Sequence, residues 1–86
     1  MSTYDEVVAL GDKHLSPKPS EDETLAFEAS IGDDESVVFE VVSRLNDAGI
    51  PIPPALLRDI QTDYGWSETL VEKVDTLLTA HALDAA

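Results

Sequence analysis

Apolar residues at helical spacing are the feature that most limits what this chain can fold into. In one segment the apolar residues are Val38, Val41, Val42 and Leu45. These positions follow the i, i+3, i+4, i+7 pattern of a helix with one buried face. Valine alone favours strands, but packing in the folded protein often overrides that preference. The spacing therefore predicts an amphipathic helix, which Gly49 can end.

Three further segments carry helical signals. Thr3 and Glu6 have the spacing of a capping box, so we expect a first helix to begin there and to end before Pro17. Residues 50–54 form a proline-rich, extended connection, and a short helix follows it. Ser67 is placed to cap a last helix. The sequence therefore predicts four helices, the third of them short.

Residues 16–34 are the ambiguous part of the chain, because their signals conflict. Ser20 and Glu23 have the spacing of a helical start. Alternate positions are nevertheless apolar, as in a strand: Leu25, Phe27, Ala29 and Ile31. These residues could pair with 37–42 in a β-hairpin, which we keep as the alternative. We expect a loop with a short helical turn, whose apolar residues plug the bundle.

The length of the chain bounds its organisation. A chain of 86 residues has little room for a second core, so we expect one domain over residues 1–86. The expected architecture is an all-α, four-helix bundle with a long loop between the first and second helices. The tail, residues 82–86, is expected to fray.

Charge is the most unusual property of the composition. Eighteen acidic residues face five basic ones, which gives a formal net charge of −13. A surface of this sign repels nucleic acids and anionic membranes and attracts proteins with basic patches. The chain has no cysteine, no run of about 20 apolar residues and no signal-peptide pattern in its first residues. We therefore expect a cytoplasmic monomer that binds neither nucleic acid nor membrane.

Four pieces of sequence occur in an order that one family shares. They are Gly32-Asp33-Asp34, Phe39-Glu40-Val41-Val42, Gly49-Ile50-Pro51-Ile52-Pro53 and Leu57-Arg58-Asp59-Ile60-Gln61-Thr62. In their order and spacing the chain resembles the acyl carrier proteins over residues 3–80, apart from a few additional residues around 64–66. The resemblance implies an acyl carrier-like four-helix bundle that serves a fatty-acid, polyketide or peptide-type pathway.

The resemblance also implies a cofactor. In acyl carrier proteins a separate transferase attaches phosphopantetheine from coenzyme A to a serine at the start of the second helix, and the thiol of the cofactor holds the acyl group. An alignment without a gap places Asp34 at the family's aspartate and Glu35 at its serine. The chain is then an unloaded pseudo-carrier that acts as an adaptor. The other alignment places Ser36 at the serine and needs one residue fewer in the first turns of the helix. Ser36 then carries phosphopantetheine.

Docking residues are implied in the same way. Family members meet their enzymes through the acidic outward side of the second helix, which basic patches on the partners recognise. The matching positions are Asp33, Asp34, Glu35, Glu40 and Asp47, with Arg44 as a basic exception. The implied partners are basic-surfaced biosynthetic enzymes and a phosphopantetheinyl transferase. The plainer alternative is that these residues form only a solvated helix face.

Two other classes of protein stay open. The residues around Gly65 resemble the turn of a helix-turn-helix regulator, but the helix after it carries three acidic residues against Lys73 alone, which opposes phosphate binding. An acidic inhibitor or immunity-type protein is compatible with the charge. No Ser-His-Asp set and no metal-ligand pattern occurs in the sequence, so we predict neither an enzyme nor a metal site.

Overall fold

All regular structure in the computed structural model, which describes residues 1–85, is helical. The α-helices are α1 (Thr3–His14), α2 (Glu23–Ser30), α3 (Asp34–Asp47), α4 (Pro54–Asp63) and α5 (Glu68–Ala85), and a 3-10 turn spans Pro19–Glu21. The prediction of an all-α fold is confirmed for the described residues. The alternative of a β-hairpin is wrong, because its two proposed strands fall on α2 and α3.

The chain divides into two compact units. The first, Met1–Ile52, contains α1, the 3-10 turn, α2 and α3, and both α1 and α2 pack against α3. The second begins at Pro53, and in it α4 packs against α5. The single domain expected over residues 1–86 and the fraying expected at 82–86 stay predictions. α5 includes residues 82–85, and Ala86 lies outside the described residues.

α2 lies in the connection where the sequence predicts a loop with a short helical turn. Its N-cap is Asp22, whose Oδ1 accepts the N–H groups of Thr24 at 2.9 Å and Leu25 at 3.1 Å. These bonds satisfy two of the amides that a helix start leaves free, and an eight-residue helix follows. The helical start indicated by Ser20 and Glu23 is present, because α2 begins at Glu23. Ser20 is not its cap, since it lies in the 3-10 turn.

α1 forms where the sequence predicts it, with a different cap. Ser2 is the N-cap, and its Oγ accepts the N–H of Asp5 at 3.1 Å. Thr3 is the first helical residue and is buried. The helix ends at His14, before Pro17. The predicted cap is therefore displaced by one residue, while the helix itself is confirmed.

The core of the first unit is built on α3. Its buried apolar side chains are Val7, Leu25, Val37, Val38, Val41, Val42 and Leu45. All positions of the predicted valine and leucine stripe are among them, so the inward face of α3 is confirmed. Gly11 of α1 is also buried, and a Cβ added to it would lie 2.8 Å from Pro19 Cγ and 2.8 Å from Val41 Cγ1. The absence of a side chain therefore lets α1 approach α3 and the 3-10 turn closely.

α3 ends in a Schellman motif at Gly49. The N–H of Gly49 donates to Asn46 O at 3.0 Å, and the N–H of Ile50 donates to Leu45 O at 2.9 Å. Gly49 has a φ of 73°, a left-handed conformation that costs least for glycine. The predicted end of this helix is confirmed.

The second unit is a pair of helices that each bury apolar residues. The buried side chains are Leu56, Leu57 and Ile60 of α4 and Leu70 and Val74 of α5. Pro54 occupies the first position of α4, where a missing N–H costs nothing. Ser67 caps α5 as predicted, because its Oγ accepts the N–H of Leu70 at 3.2 Å. No helix within residues 1–85 is long and apolar enough to cross a membrane.

Candidate functional site

The start of α3, where the sequence places the cofactor site, is set by the turn that joins it to α2. Gly32 has a φ of 81°, and its N–H donates to Ala29 O at 3.1 Å. The N–H of Asp33 donates to Glu28 O at 2.9 Å, which completes a second Schellman motif. Asp33 is also the N-cap of α3. One residue therefore closes α2 with its backbone and begins α3 with its side chain.

The side chains of Asp33 and Ser36 are joined at this helix start. Asp33 Oδ2 accepts a hydrogen bond from Ser36 Oγ at 2.8 Å, and Asp33 Oδ1 accepts the N–H of Ser36 at 3.4 Å. Both residues are half-buried, so solvent reaches the pair. The arrangement is a hydroxyl held by a carboxylate at a helix N-terminus, where free amides and the helix dipole favour an added phosphate.

Asp34 and Glu35 occupy the first two positions of α3. Asp34 is exposed, and Glu35 is half-buried. Ser36 does not lie on the buried face, whereas Val37, directly after it, is only 2% exposed. A serine followed by a buried apolar residue therefore occurs at 36 and 37. The assignment of the attachment position to Ser36 or to Glu35 stays a prediction.

An apolar hollow of about 280 Å³ lies between α1, α2 and α3. Its lining includes Tyr4 and Val8 of α1, Leu25 and Ala29 of α2, and Val37 of α3. Burial raises the pKa of the Tyr4 phenol, and the carboxylates of Asp34 and Asp5 raise it further. Val37, which lines the hollow, directly follows Ser36 in α3, so the hollow lies close to the candidate site.

Two of the predicted docking residues, Glu40 and Arg44, are paired on α3. Arg44 Nε donates to Glu40 Oε1 at 3.1 Å, and Arg44 Nη2 donates to Asp22 Oδ2 at 3.1 Å. Partial burial works against the charged form, but the hydrogen bonds with Glu40 and Asp22 raise the pKa of the Arg44 guanidinium overall. Glu40 and Arg44 are four residues apart, the spacing at which oppositely charged side chains meet on a helix surface. The charge of Arg44 is balanced within the first unit and does not interrupt the acidic face as a free cation.

Three of the predicted docking residues, Asp34, Glu40 and Asp47, follow one another along the axis of α3, and we call them the acidic row of α3. They do not share one face, because at about 100° per residue Asp34 lies roughly 120° around the helix from Glu40. Asp34 and Asp47 are exposed at opposite ends of the helix, and the Glu40 side chain between them is 45% exposed. A helix of 14 residues is about 21 Å long, so these carboxylates are spread out. Within residues 1–85, no three His, Cys, Asp or Glu side chains are grouped so that they could hold a metal ion. The row is suited to contact with an extended basic surface.

Asp22 is the residue of this region that the sequence does not reveal. It lies 22 residues before Arg44, and no spacing rule connects positions on helices joined by turns. Hydrogen bonds from the backbone N–H of Leu25 and from Arg44 lower the pKa of its carboxyl group. The available signal is only an aspartate just before a helical segment, which is a common N-cap position.

Comparisons with protein-family models, with curated proteins and with solved structures found no match to this chain. The resemblance to acyl carrier proteins therefore rests only on the four pieces of sequence between Gly32 and Thr62 described above. The Asp33 and Ser36 pair at the start of α3 is the geometric feature from which a function can be argued.

Proposed function

We propose that this chain is an acyl carrier-like protein of a fatty-acid, polyketide or peptide-type pathway, with phosphopantetheine attached at Ser36. The observation that supports the proposal is the Ser36 hydroxyl, half-buried in the first turn of α3 and hydrogen-bonded to Asp33 at 2.8 Å. The cofactor would supply the thiol that carries the acyl group. The protein would supply a fixed point of attachment and a surface for partner enzymes.

Attachment of phosphopantetheine needs a nucleophile that is fixed in position and still accessible to the transferase. Ser36 Oγ would bond to the pyrophosphate phosphorus that bears the pantetheine arm, and the P–O bond between the two phosphates would break. The adenosine bisphosphate part of coenzyme A would leave, and a base of the transferase would take the hydroxyl proton. Asp33 holds the hydroxyl before the reaction, and the amides at the start of α3 favour the resulting phosphodiester. The carboxylates of Asp34 and Glu35 oppose a further anion. A transferase with basic groups would offset that repulsion.

Partner enzymes would dock on the acidic row of α3. The carboxylates of Asp34, Glu40 and Asp47 would attract a partner with an extended basic patch. Arg44 would repel such a partner little, because Glu40 and Asp22 already balance its charge. Attraction between opposite charges raises the association rate and weakens as salt screens it. Binding through this row would therefore be faster at low ionic strength than at high ionic strength.

The test is intact mass spectrometry after incubation with coenzyme A and a promiscuous phosphopantetheinyl transferase. The wild-type protein gains the mass of one phosphopantetheine group, and Ser36→Ala gains none. Ser30→Ala is the control, because Ser30 is an exposed serine at the end of α2 whose hydroxyl donates to Phe27 O at 2.6 Å. It gains the same mass as the wild type. Circular dichroism of each variant establishes that it is folded.

Other outcomes separate the alternatives. A mass gain that persists in Ser36→Ala would exclude Ser36 as the attachment site. If the wild type gains nothing and Glu35→Ser does, the protein is the unloaded pseudo-carrier in which Glu35 occupies the attachment position. In that case the acidic row of α3 alone carries the function, as an adaptor. No gain in any of these proteins would contradict the acyl carrier assignment.

A further inference from the structure

α2 and the residue that caps its C-terminus carry two large apolar side chains that the fold does not bury. Phe27 is 64% exposed and Ile31 is 63% exposed. They are one helical turn apart, and the N–H of Ile31 donates to Phe27 O at 3.2 Å. Residues four apart on a helix are neighbours on its surface, so these side chains form one patch rather than two isolated positions. We call Phe27 and Ile31 the α2 patch.

The α2 patch is held in place at both ends of a helix that would not persist alone. A helix of eight residues is too short to be stable in water without tertiary contacts. At its beginning, Asp22 caps the helix and accepts a hydrogen bond from Arg44 of α3. At its end, the Schellman motif at Gly32 passes directly into α3. The patch is therefore presented in a fixed orientation, which lowers the entropy cost of binding.

Charge around the α2 patch limits what can cover it. Glu23 lies four residues before Phe27, and Glu28 lies three residues before Ile31, so both are neighbours of the patch on the helix. Asp34 is exposed three residues beyond Ile31. A second copy of this chain would bring the same carboxylates and its own net charge of −13 against them. Self-association through this face is therefore disfavoured, as is binding to an anionic membrane.

We infer that the α2 patch is a docking site for a partner protein that has an apolar pocket rimmed by lysine or arginine. Phe27 and Ile31 would fill the pocket, and the surrounding carboxylates would meet the basic rim. Buried aromatic and aliphatic anchors supply most of the affinity of such contacts, and the rim supplies orientation. The inference does not depend on Ser36, so it holds for a loaded carrier and for an unloaded adaptor.

A synthetic amphipathic peptide made of leucine and lysine serves as the probe, because it offers an apolar face with a basic rim. Its affinity for the full chain is measured by fluorescence anisotropy, and its position by amide chemical shifts. The double variant Phe27→Ser/Ile31→Ser binds about tenfold more weakly or worse, because two apolar anchors are lost without a change of charge. Leu83→Ser is the control, because Leu83 is an exposed apolar residue of α5 outside the patch, and it leaves the affinity unchanged.

A second pair of substitutions tests the rim independently. Glu23→Lys/Glu28→Lys keeps both apolar side chains, and it weakens peptide binding and flattens its dependence on salt. Shift changes in the wild type centre on residues 23–31. Equal binding by the wild type and the Phe27→Ser/Ile31→Ser variant would overturn the inference, as would shift changes confined to α3. Concentration-dependent dimerisation that disappears in that variant would show that a second copy is the occupant, which also overturns it.

Discussion

The carboxylate of Asp22 serves two helices at once. Its Oδ1 accepts the N–H groups of Thr24 and Leu25 and so caps α2, while its Oδ2 accepts a hydrogen bond from Arg44 Nη2 of α3 at 3.1 Å. Arg44 in turn donates to Glu40 on its own helix. A single acidic side chain therefore fixes the start of α2 and joins it to the helix that carries the candidate site.

Asp22→Asn is expected to destabilise the protein at neutral pH, and the effect should disappear in acid. The backbone N–H of Leu25 and the guanidinium of Arg44 lower the pKa of Asp22 in the folded state. The ionised carboxylate therefore adds stability above its ordinary pKa of about 3.9, and that stability is lost as the pH falls through the lower, folded value. Urea unfolding of wild type and variant, from about pH 7 down to about pH 2, measures the difference between their free energies of unfolding.

Asp59→Asn provides the comparison for the Asp22 experiment. Asp59 is an exposed residue within α4, in the second unit. Its substitution should change stability little at any of these pH values. A difference between wild type and Asp22→Asn that stays constant across the whole range would contradict the role given to the ionised carboxylate.

Gly11→Ala is expected to destabilise the protein by about 1–3 kcal/mol, although alanine is the better helix former. The added Cβ would lie 2.8 Å from Pro19 Cγ and 2.8 Å from Val41 Cγ1. Neither neighbour can yield easily, because Pro19 is a buried ring and Val41 is fully buried. Thermal and urea unfolding of the variant measure the loss.

The opposite substitution in the same helix calibrates the Gly11 result. Ala9 of α1 is exposed, so Ala9→Gly should cost about 1 kcal/mol through helix propensity alone. Both substitutions are thus expected to destabilise, for different reasons. A stabilised Gly11→Ala would mean that propensity outweighs the close approach of α1 to Val41 and Pro19.

Loss of the cap of α5 should cost more than loss of the cap of α1. Ser67 is buried, and its Oγ accepts the N–H of Leu70 at 3.2 Å. Ser2 is exposed, and its Oγ accepts the N–H of Asp5 at 3.1 Å. Ser67→Ala is expected to cost about 1–2 kcal/mol, and Ser2→Ala less, because water can replace the hydroxyl only at the exposed cap. Equal losses in urea unfolding would contradict this account.

Periodic features of the fold could be predicted from the sequence, and features that depend on contacts between distant residues could not. The buried stripe of α3 follows from the spacing of Val38, Val41 and Leu45, and its end follows from Gly49. α2 was not predicted as a full helix because apolar residues occupy alternate positions between 25 and 31, which is the pattern of a strand. Its beginning is capped by Asp22, which accepts a hydrogen bond from Arg44, 22 residues away in the sequence.

The candidate site shows the same division. That acidic residues and Ser36 open α3 is visible in the sequence, because an acidic N-cap and first turn suit a helix start. The sequence does not show whether Ser36 lies on the inward face of α3, because a shift of one residue in the alignment turns a side chain about 100° around the helix. The hydrogen bond from Ser36 to Asp33 likewise depends on where the Gly32 turn places the cap.

Ser43→Ala is expected to stabilise the protein by about 1 kcal/mol. The Ser43 Oγ is buried in the middle of α3 and has no hydrogen-bond partner among residues 1–85. Removing an unpaired hydroxyl from the interior lifts its desolvation cost, and alanine also favours the helix. Ser30→Ala is the comparison, since the Ser30 hydroxyl is exposed and donates to Phe27 O at 2.6 Å. This substitution should change the free energy of unfolding by less than about 0.5 kcal/mol. Urea unfolding of both variants decides the matter: a Ser43→Ala protein less stable than the wild type would mean that this hydroxyl has a partner in the folded protein.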